Sequence, residues 1–331
     1  MKVAILTVEF PPDCIGGVSA WSSDMALALV EAGHSVEVFT KKRSHTHEHD
    51  QALPFQVTRV RGRSWAKWGS LWMQIALWKR LHQFDIILAA NWSLTTRIHT
   101  HKGLCLSFHG SDISTLSTAP PDLQRLTRSC HRLFPVSDFL RRELIRLGCV
   151  DDKDPRVSIL PMPLNLPDHQ ARHRGEHLIC VARPTDRKGI DRAIKIAAAT
   201  HRKLELIGPK SGPPGTVAYG TLPRRQTLEK VAKAQAILLT PRLRQDGRGG
   251  EGLGLCILEA ASLGVPAIGC DTGGVIEALG PGLVLSDPDR PDGTAINTWL
   301  NEANRGVEAL AWVKQHHGAR HTVQCLEEAL G

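Results

Sequence analysis

The sequence predicts an α/β protein made of two doubly wound parallel-sheet domains that face a central cleft. Short apolar runs rich in Val, Ile and Leu alternate with helix-period segments from end to end. The chain has 331 residues, enough to bury two cores. Midway, the proline-rich stretch ILPMPLNLPDHQ (159–170) interrupts the alternation as an interdomain linker would.

In the first half, VAILTV, SVEVFT, DIILAA and LCLSFHG read as strands, with a helical segment at 18–32 between the first two. In the second half, HLICVAR, KLELIG, AILLTP, VPAIGC and GLVLSD read as strands, with a helix at 189–200. The split between the two series is placed near 166.

Composition outlines the partners. Lysine and arginine number 41 against 33 acids, a formal charge of +8, with 42% hydrophobic and 22% charged residues. That balance describes a globular chain and favours an anionic partner such as a nucleotide phosphate or an anionic lipid. No nucleic-acid partner is expected, because the chain has one tyrosine and no motif that interleaves stacking aromatics with a basic stripe. The eight cysteines form no C-x-x-C pair and fall mostly in apolar runs, as reduced core thiols do. MKVAILTVEFPP reads as a first strand, not a signal peptide, and no apolar run reaches the ~18 residues of a membrane span. The expected location is the cytoplasm, with peripheral contact at the inner membrane face left open.

Open α/β sheets bind ligands beyond the carboxyl ends of their strands, so chemistry should follow strands. EFPPDCIGGVSAW places Gly16 and Gly17 before a helix starting near Val18. Adjacent glycines let backbone N–H groups approach an anion, and the helix dipole adds to this; an ordinary glycine turn looks the same. In SFHGSDIS, His109 ends a strand and Asp112 follows. The imidazole either bonds a sugar hydroxyl or leaving-group oxygen, or is a loop histidine beside a capping aspartate. VARPTDRKGID sets Arg183 and Lys188 between a strand end and a helix start. Fixed charge there neutralises a departing diphosphate; solvated surface charge is the plain alternative.

The sharpest signal is EGLGLCILEAASLGVPAIGCDTGGVIEAL, in which seven residues separate Glu251 from Glu259. Gly252, Leu253 and Gly254 form a tight turn, and Leu255 opens a helix that carries Glu259. Backbone N–H groups at Leu253 to Leu255 would then face a phosphate or sugar, while the two carboxylates accept from sugar and ribose hydroxyls. A dinucleotide fingerprint fails here, because Leu255 or Ile257 stands where its third glycine belongs, and this excludes an NAD-dependent enzyme.

Two patterns remain ambiguous. SHTHEHD places His45, His47 and His49 at alternate positions, which reads as a solvated loop and not a metal site. SWAKWGSLWMQIALWKRLH (64–82) aligns Trp65, Trp68, Trp72 and Ile75 on one helical stripe near Lys67, Lys79 and Arg80. Packing on the first sheet is favoured there, with a membrane interface or a lipid-linked acceptor as the competing reading.

Together these segments resemble glycosyltransferase family 4, retaining enzymes of GT-B architecture with two Rossmann-like domains. The likeness runs from FPPDCIGGV through FHGSD, PVSDFLRREL, RVSILPMPLN and ARPTDRKG to the E-x7-E segment and TGGV-x-EA, and so covers most of the chain. It implies transfer of a hexose or N-acetylhexosamine, with retention and without a metal. The donor would be a UDP- or GDP-sugar, and the acceptor a saccharide, a lipid-linked molecule or a small molecule. Residues 1–166 would form the acceptor-side domain, with a C-terminal helix at 314–331 packed back on it, and 167–313 would bind the nucleotide sugar.

By the same resemblance, the Gly16–Gly17 pair contacts the diphosphate through Gly17 and His109 lies beside the transferred sugar. Arg183 and Lys188 hold the diphosphate, Glu251 the sugar and Glu259 the ribose, with Gly252, Leu253, Gly254 and Leu255 lining the donor. No resident cofactor is implied, and a UDP-sugar is favoured over a GDP-sugar, although the RLRQDGRGG insertion resembles a subset that uses GDP-mannose. A catalytically idle sugar-nucleotide-binding protein is the alternative. The chain departs from the family pattern where Met162 and Pro163 replace an Asn-Gly pair, and in a short first domain whose acceptor pocket is expected to be open. Asp287 and Asp289 spell D-x-D, the metal signature of the other glycosyltransferase fold, but lie in a proline-rich turn far along the chain from the motifs, and no metal is assigned.

Overall fold

The apolar runs become strands because helices cover both faces of each parallel sheet, and sequences dominated by Val, Ile, Leu and Ala suit burial on both sides. The computed structural model describes residues 1–12, 16–42, 46–61, 65–165 and 175–331, the side chains of 65–70 excepted. Two compact units emerge, Met1–Asn165 with Ala319–Gly331, and Leu166–Gly318. The split placed near 166 falls at the start of segment 166–174, outside the described residues.

The first unit runs β1 (Lys2–Leu6), α1 (Gly17–Glu31), β2 (Ser35–Lys41), α2 (His47–Gln51), β3 (Gln56–Val60) and α3 (Trp65–Trp78). It continues with β4 (Ile86–Ala89), β5 (Leu104–Phe108), α4 (Pro121–Ser129), β6 (Arg132–Pro135) and α5 (Asp138–Arg146). Its strands form one parallel six-stranded sheet in the order β3-β2-β1-β4-β5-β6. The central strands are fully buried, with Ile5, Leu6, Ile87, Leu88 and Leu106 at zero exposure. Ser137 caps α5 by accepting from the Leu140 N–H at 3.2 Å, which fixes where the chain leaves β6.

The second unit repeats the plan with β7 (Leu178–Val181), α6 (Ile190–Thr200), β8 (Leu204–Ile207), β9 (Thr216–Ala218), α7 (Arg224–Val231) and β10 (Ala236–Leu239). After these come α8 (Leu255–Ser262), β11 (Ala267–Cys270), α9 (Val275–Leu279), β12 (Leu283–Leu285), α10 (Gly293–Asn301) and α11 (Arg305–His316). The sheet order β12-β11-β10-β7-β8-β9 puts β10 directly beside β7. The last helix, α12 (Ala319–Leu330), belongs to the first unit, where it packs on α1.

Three strands that sequence reading passed over, β3, β6 and β9, are present. β3 and β9 carry polar residues and occupy sheet edges, where the apolar signal is weakest. The HTHEHD segment, expected as a loop, is instead α2 from His47 onward; His45 lies outside the described residues. Its Asp50 accepts two hydrogen bonds from Arg59, whose side chain also reaches the Pro11 carbonyl. The segment thus pins the loop that follows β1.

Candidate functional site

In the second unit the E-x7-E segment assembles around backbone that leaves no space for side chains. Glu251 bridges to Gly273, and the Gly274 N–H donates to the Glu251 carbonyl at 2.8 Å. A β-carbon on Gly273 would stand 2.4 Å from that carbonyl oxygen, and one on Gly274 would stand 2.3 Å from the Gly252 oxygen. The TGG of the sequence is therefore the seat on which the EGLG turn rests. Gly254, at φ +101°, turns the chain into α8, whose start has no side-chain cap and no acidic residue in its first turn. Such a helix end presents N–H groups and positive potential to an anion.

Lys188 and Glu251 meet across this seat. The Lys188 Nζ lies 2.5 Å from Glu251 Oε2, each side chain about one-fifth exposed. Lys188 closes a single helical turn, Asp186–Lys188, between β7 and α6, and Gly189 after it has φ +64° with Thr240 oxygen 1.9 Å from any added β-carbon. Only glycine allows α6 to start so close to the end of β10, and that closeness carries Lys188 to Glu251. The Cys256 thiol nearby is held well above its ordinary range by burial and stays protonated. Arg183 is exposed, and among the described residues no ion pair engages it. Glu259, one turn into α8, accepts from Arg224 Nε at 2.7 Å.

Asp289 of the D-x-D string is clasped by Arg192 at 2.6 Å, Arg242 at 3.0 Å and Lys195 at 3.4 Å. The Arg192 hydrogen bond leads in holding its carboxyl below the usual range, so this aspartate closes an ion network. Among the described residues no group of three or more His, Cys, Asp or Glu side chains is placed to hold a metal ion. A hollow of about 420 Å³ opens between Pro184, Asp186, Asp191, Pro209 and Arg242, and neither Lys188 nor Glu251 lines it.

In the first unit, Gly16 and Gly17 are exposed at the uncapped start of α1. The preceding residues 13–15 lie outside the described residues. His109 follows β5 and packs edge-on against Trp21 of α1, ring centroids 4.5 Å apart. Its Nε2 is buried without a partner, and burial pushes the imidazole pKa down to about 3, so the ring is neutral at physiological pH. Asp112 folds its Oδ1 back onto the Gly110 and His109 N–H groups at 2.8 and 3.3 Å, leaving Oδ2 buried and unpartnered. Burial raises the Asp112 pKa to about 6. Asp112 is thus the capping aspartate of the plain reading, while the orphaned Nε2 is what a ligand-facing histidine would show.

The structure therefore joins Lys188, Glu251 and the 252–255 turn, places Glu259 on the adjoining helix and sets His109 beside α1. Sequence reading missed Arg224, since nothing marks one arginine in TLPRRQTLEK, and missed Gly273 and Gly274 as structural supports. On α3, Met73, Gln74 and Leu77 face inward while Trp72, Ile75 and Trp78 face out. The expectation that the Trp stripe packs on the sheet is corrected at Trp72 and Ile75; the side chains of Trp65 and Trp68 lie outside the described residues.

Residues 15–162 match the family model of Glycosyltransferase Family 4. The chain is 27% identical over 195 residues to the amylovoran biosynthesis glycosyltransferase AmsK of Erwinia amylovora, covering 52% of this chain and about half (48%) of that protein. It is 24% identical over 331 aligned positions to a GDP-mannose-dependent monoacylated alpha-(1-6)-phosphatidylinositol monomannoside mannosyltransferase of Corynebacterium glutamicum, covering 87% and 85% of the two chains. Among solved structures, Anabaena Alr3699/HepE in complex with UDP and glucose superposes with a TM-score of 0.75 at 15% identity, over 100% of this chain and 99% of that one. The two parallel sheets are those of the GT-B fold, and the match over residues 15–162 with the two relatives makes the chain similar to the glycosyltransferases of family 4.

Proposed function

We propose that the protein transfers a hexose or N-acetylhexosamine from a nucleoside-diphosphate sugar to an acceptor hydroxyl, with retention of configuration and without a metal ion. The observation that carries this reading is the Lys188–Glu251 pair, 2.5 Å apart, beside the uncapped start of α8. Without a donor the two charges neutralise each other; with one, phosphate oxygens and sugar hydroxyls take their place. The Lys188 ammonium and the α8 N–H groups then stabilise charge on the departing diphosphate, and exposed Arg183 adds a second cation. Glu251 accepts from sugar hydroxyls and Glu259 from those of the ribose.

The acceptor hydroxyl forms its bond to the anomeric carbon on the face where the bond to the β-phosphate oxygen breaks. Its proton passes to that departing oxygen, so no protein nucleophile is needed. His109, neutral, serves a hydroxyl by hydrogen bonding and not as a charged acid. The acceptor is a saccharide, a lipid-linked molecule or a small molecule, and the reaction belongs in the cytoplasm, which suits free cysteines such as Cys105, Cys180 and Cys270, all buried. A UDP-sugar is the favoured donor, supported by the UDP and glucose held by the similar HepE structure; the GDP-mannose dependence of the corynebacterial relative speaks for the other base.

A thermal-shift panel of UDP- and GDP-sugars with EDTA present tests this, because a ligand that binds only the folded state raises its melting point. Stabilisation by a UDP-sugar is expected. A shift with GDP-sugars alone would reassign the base, and no shift with any would leave the donor site without support. Lys188→Ala and Glu251→Ala should each cut transfer by about 100-fold or more while melting as folded proteins. Wild-type turnover in either would remove the pair from catalysis.

A further inference from the structure

We propose that α3 is a membrane-docking edge, with Trp72, Ile75 and Trp78 entering the interfacial layer of a bilayer that carries anionic lipid. These residues are 39%, 46% and 73% exposed, whereas Met73 and Leu77 of the same helix are at 0% and Gln74 at 2%. At ~100° per residue, Leu71, Trp72, Ile75, Trp78 and the following Lys79 occupy about one-third of the helix circumference, opposite the inward residues. The outward apolar arc is therefore continuous. The other large exposed hydrophobics among the described residues, such as Val217, Ile276 and Val307, lie on separate elements and do not share one helical face.

The inward face explains why the arc cannot turn away from solvent. Gln74 donates to Thr96 Oγ1 at 3.3 Å and accepts from the Arg97 N–H at 2.5 Å. At the end of the helix, Arg80 grips buried Glu37 through two hydrogen bonds of 2.6 Å. Rotation of α3 would break all four, so Trp72, Ile75 and Trp78 are held outward.

The chemistry around the arc selects the occupant. Lys79, on the arc itself, is exposed, while Glu37, the acid nearest the end of the helix, is already matched by Arg80 at 2.6 Å. Indole rings prefer the headgroup layer, where an apolar ring and a polar N–H are both satisfied, and uncompensated cations are attracted to an anionic leaflet. Among the described residues no helix is long and apolar enough to cross a membrane, so attachment at this edge is peripheral.

Co-sedimentation of the full chain with phosphatidylcholine vesicles, with and without phosphatidylglycerol, tests the proposal. Wild type should partition onto the phosphatidylglycerol vesicles, and the triple variant Trp72→Ser, Ile75→Ser, Trp78→Ser should partition about tenfold more weakly or worse. Lys79→Gln should weaken binding to the anionic vesicles alone. The triple variant should keep the wild-type melting point, which separates lost docking from lost folding. Equal partitioning of triple variant and wild type overturns the proposal, as does failure of wild type to bind either vesicle. A concentration-dependent dimer that the triple variant abolishes, seen without vesicle binding, would give the arc to a second copy. Binding only when a lipid-linked saccharide is added would give it to the acceptor tail.

Discussion

At Gly273 a side chain would enter space held by the Glu251 backbone, and the residue sits at φ +69° besides, so Gly273→Ala meets both a clash and conformational strain. It should cost about 1–3 kcal/mol in urea unfolding and weaken donor-induced thermal stabilisation at the same time, because Glu251 must shift. Lost stability with intact donor binding would show that Glu251 is not the anchor. His109 makes a second prediction. Its folded pKa of about 3 lies below the ordinary 6.5, so below pH 6.5 the unfolded chain takes a proton that the folded chain refuses. Its stabilising contribution is complete above pH 6.5 and falls away toward pH 3. Asp112 acts in the opposite sense, since its folded pKa near 6 exceeds the ordinary 3.8 and the folded state takes up the proton first as pH falls. Comparing His109→Gln with wild type isolates the histidine: urea midpoints should fall less steeply for the variant between pH 6.5 and 5. Parallel curves would mean that the imidazole titrates freely. Both positions were named from the sequence for other reasons. His109 stood out because it ends a strand, but its orphaned Nε2 and the Trp21 ring against it come only from α1 folding over β5.

Between elements, the α7–α8 contact sets the posture of Glu259. If Glu259 holds the ribose, Arg224→Ala should raise the donor KM by about 3–10-fold with little change in kcat, the effect of losing one charge-assisted hydrogen bond. Arg224→Lys should restore part of the loss. A fall in kcat with unchanged KM would place Glu259 elsewhere in the reaction. The E-x7-E spacing was legible because seven residues between two glutamates, with glycines at 252 and 254, dictate a turn and a helix. Their partners were not legible. Lys188 lies 63 residues before Glu251, and Arg224 lies 35 before Glu259. Lys188 reaches Glu251 because β10 pairs with β7, and no local pattern announces that strand order.

For the whole chain, the return of α12 to the first unit is the long-range event. Thr322, Val323 and Leu326 are buried, and burying two aliphatic side chains of this size contributes about 3–5 kcal/mol. The His34–Glu327 pair at 2.9 Å involves a half-exposed carboxylate and contributes at most about 1 kcal/mol. Truncation after Gly318 should therefore destabilise the chain by several times more than Glu327→Ala, compared by urea unfolding. A truncated chain as stable as wild type would show that α12 adds no core.

By itself the sequence determined the alternation of buried strands and covering helices, the two-series organisation and the residue types that close each strand, because burial on both sheet faces and glycine at tight turns are local demands. Only the tertiary structure decided which charges meet, which arc of α3 faces out and that HTHEHD is a helix bracing the loop after β1. Each of these depends on strand order or on what a neighbouring element leaves uncovered, and such contacts join residues too far apart in the chain for any periodicity to record them.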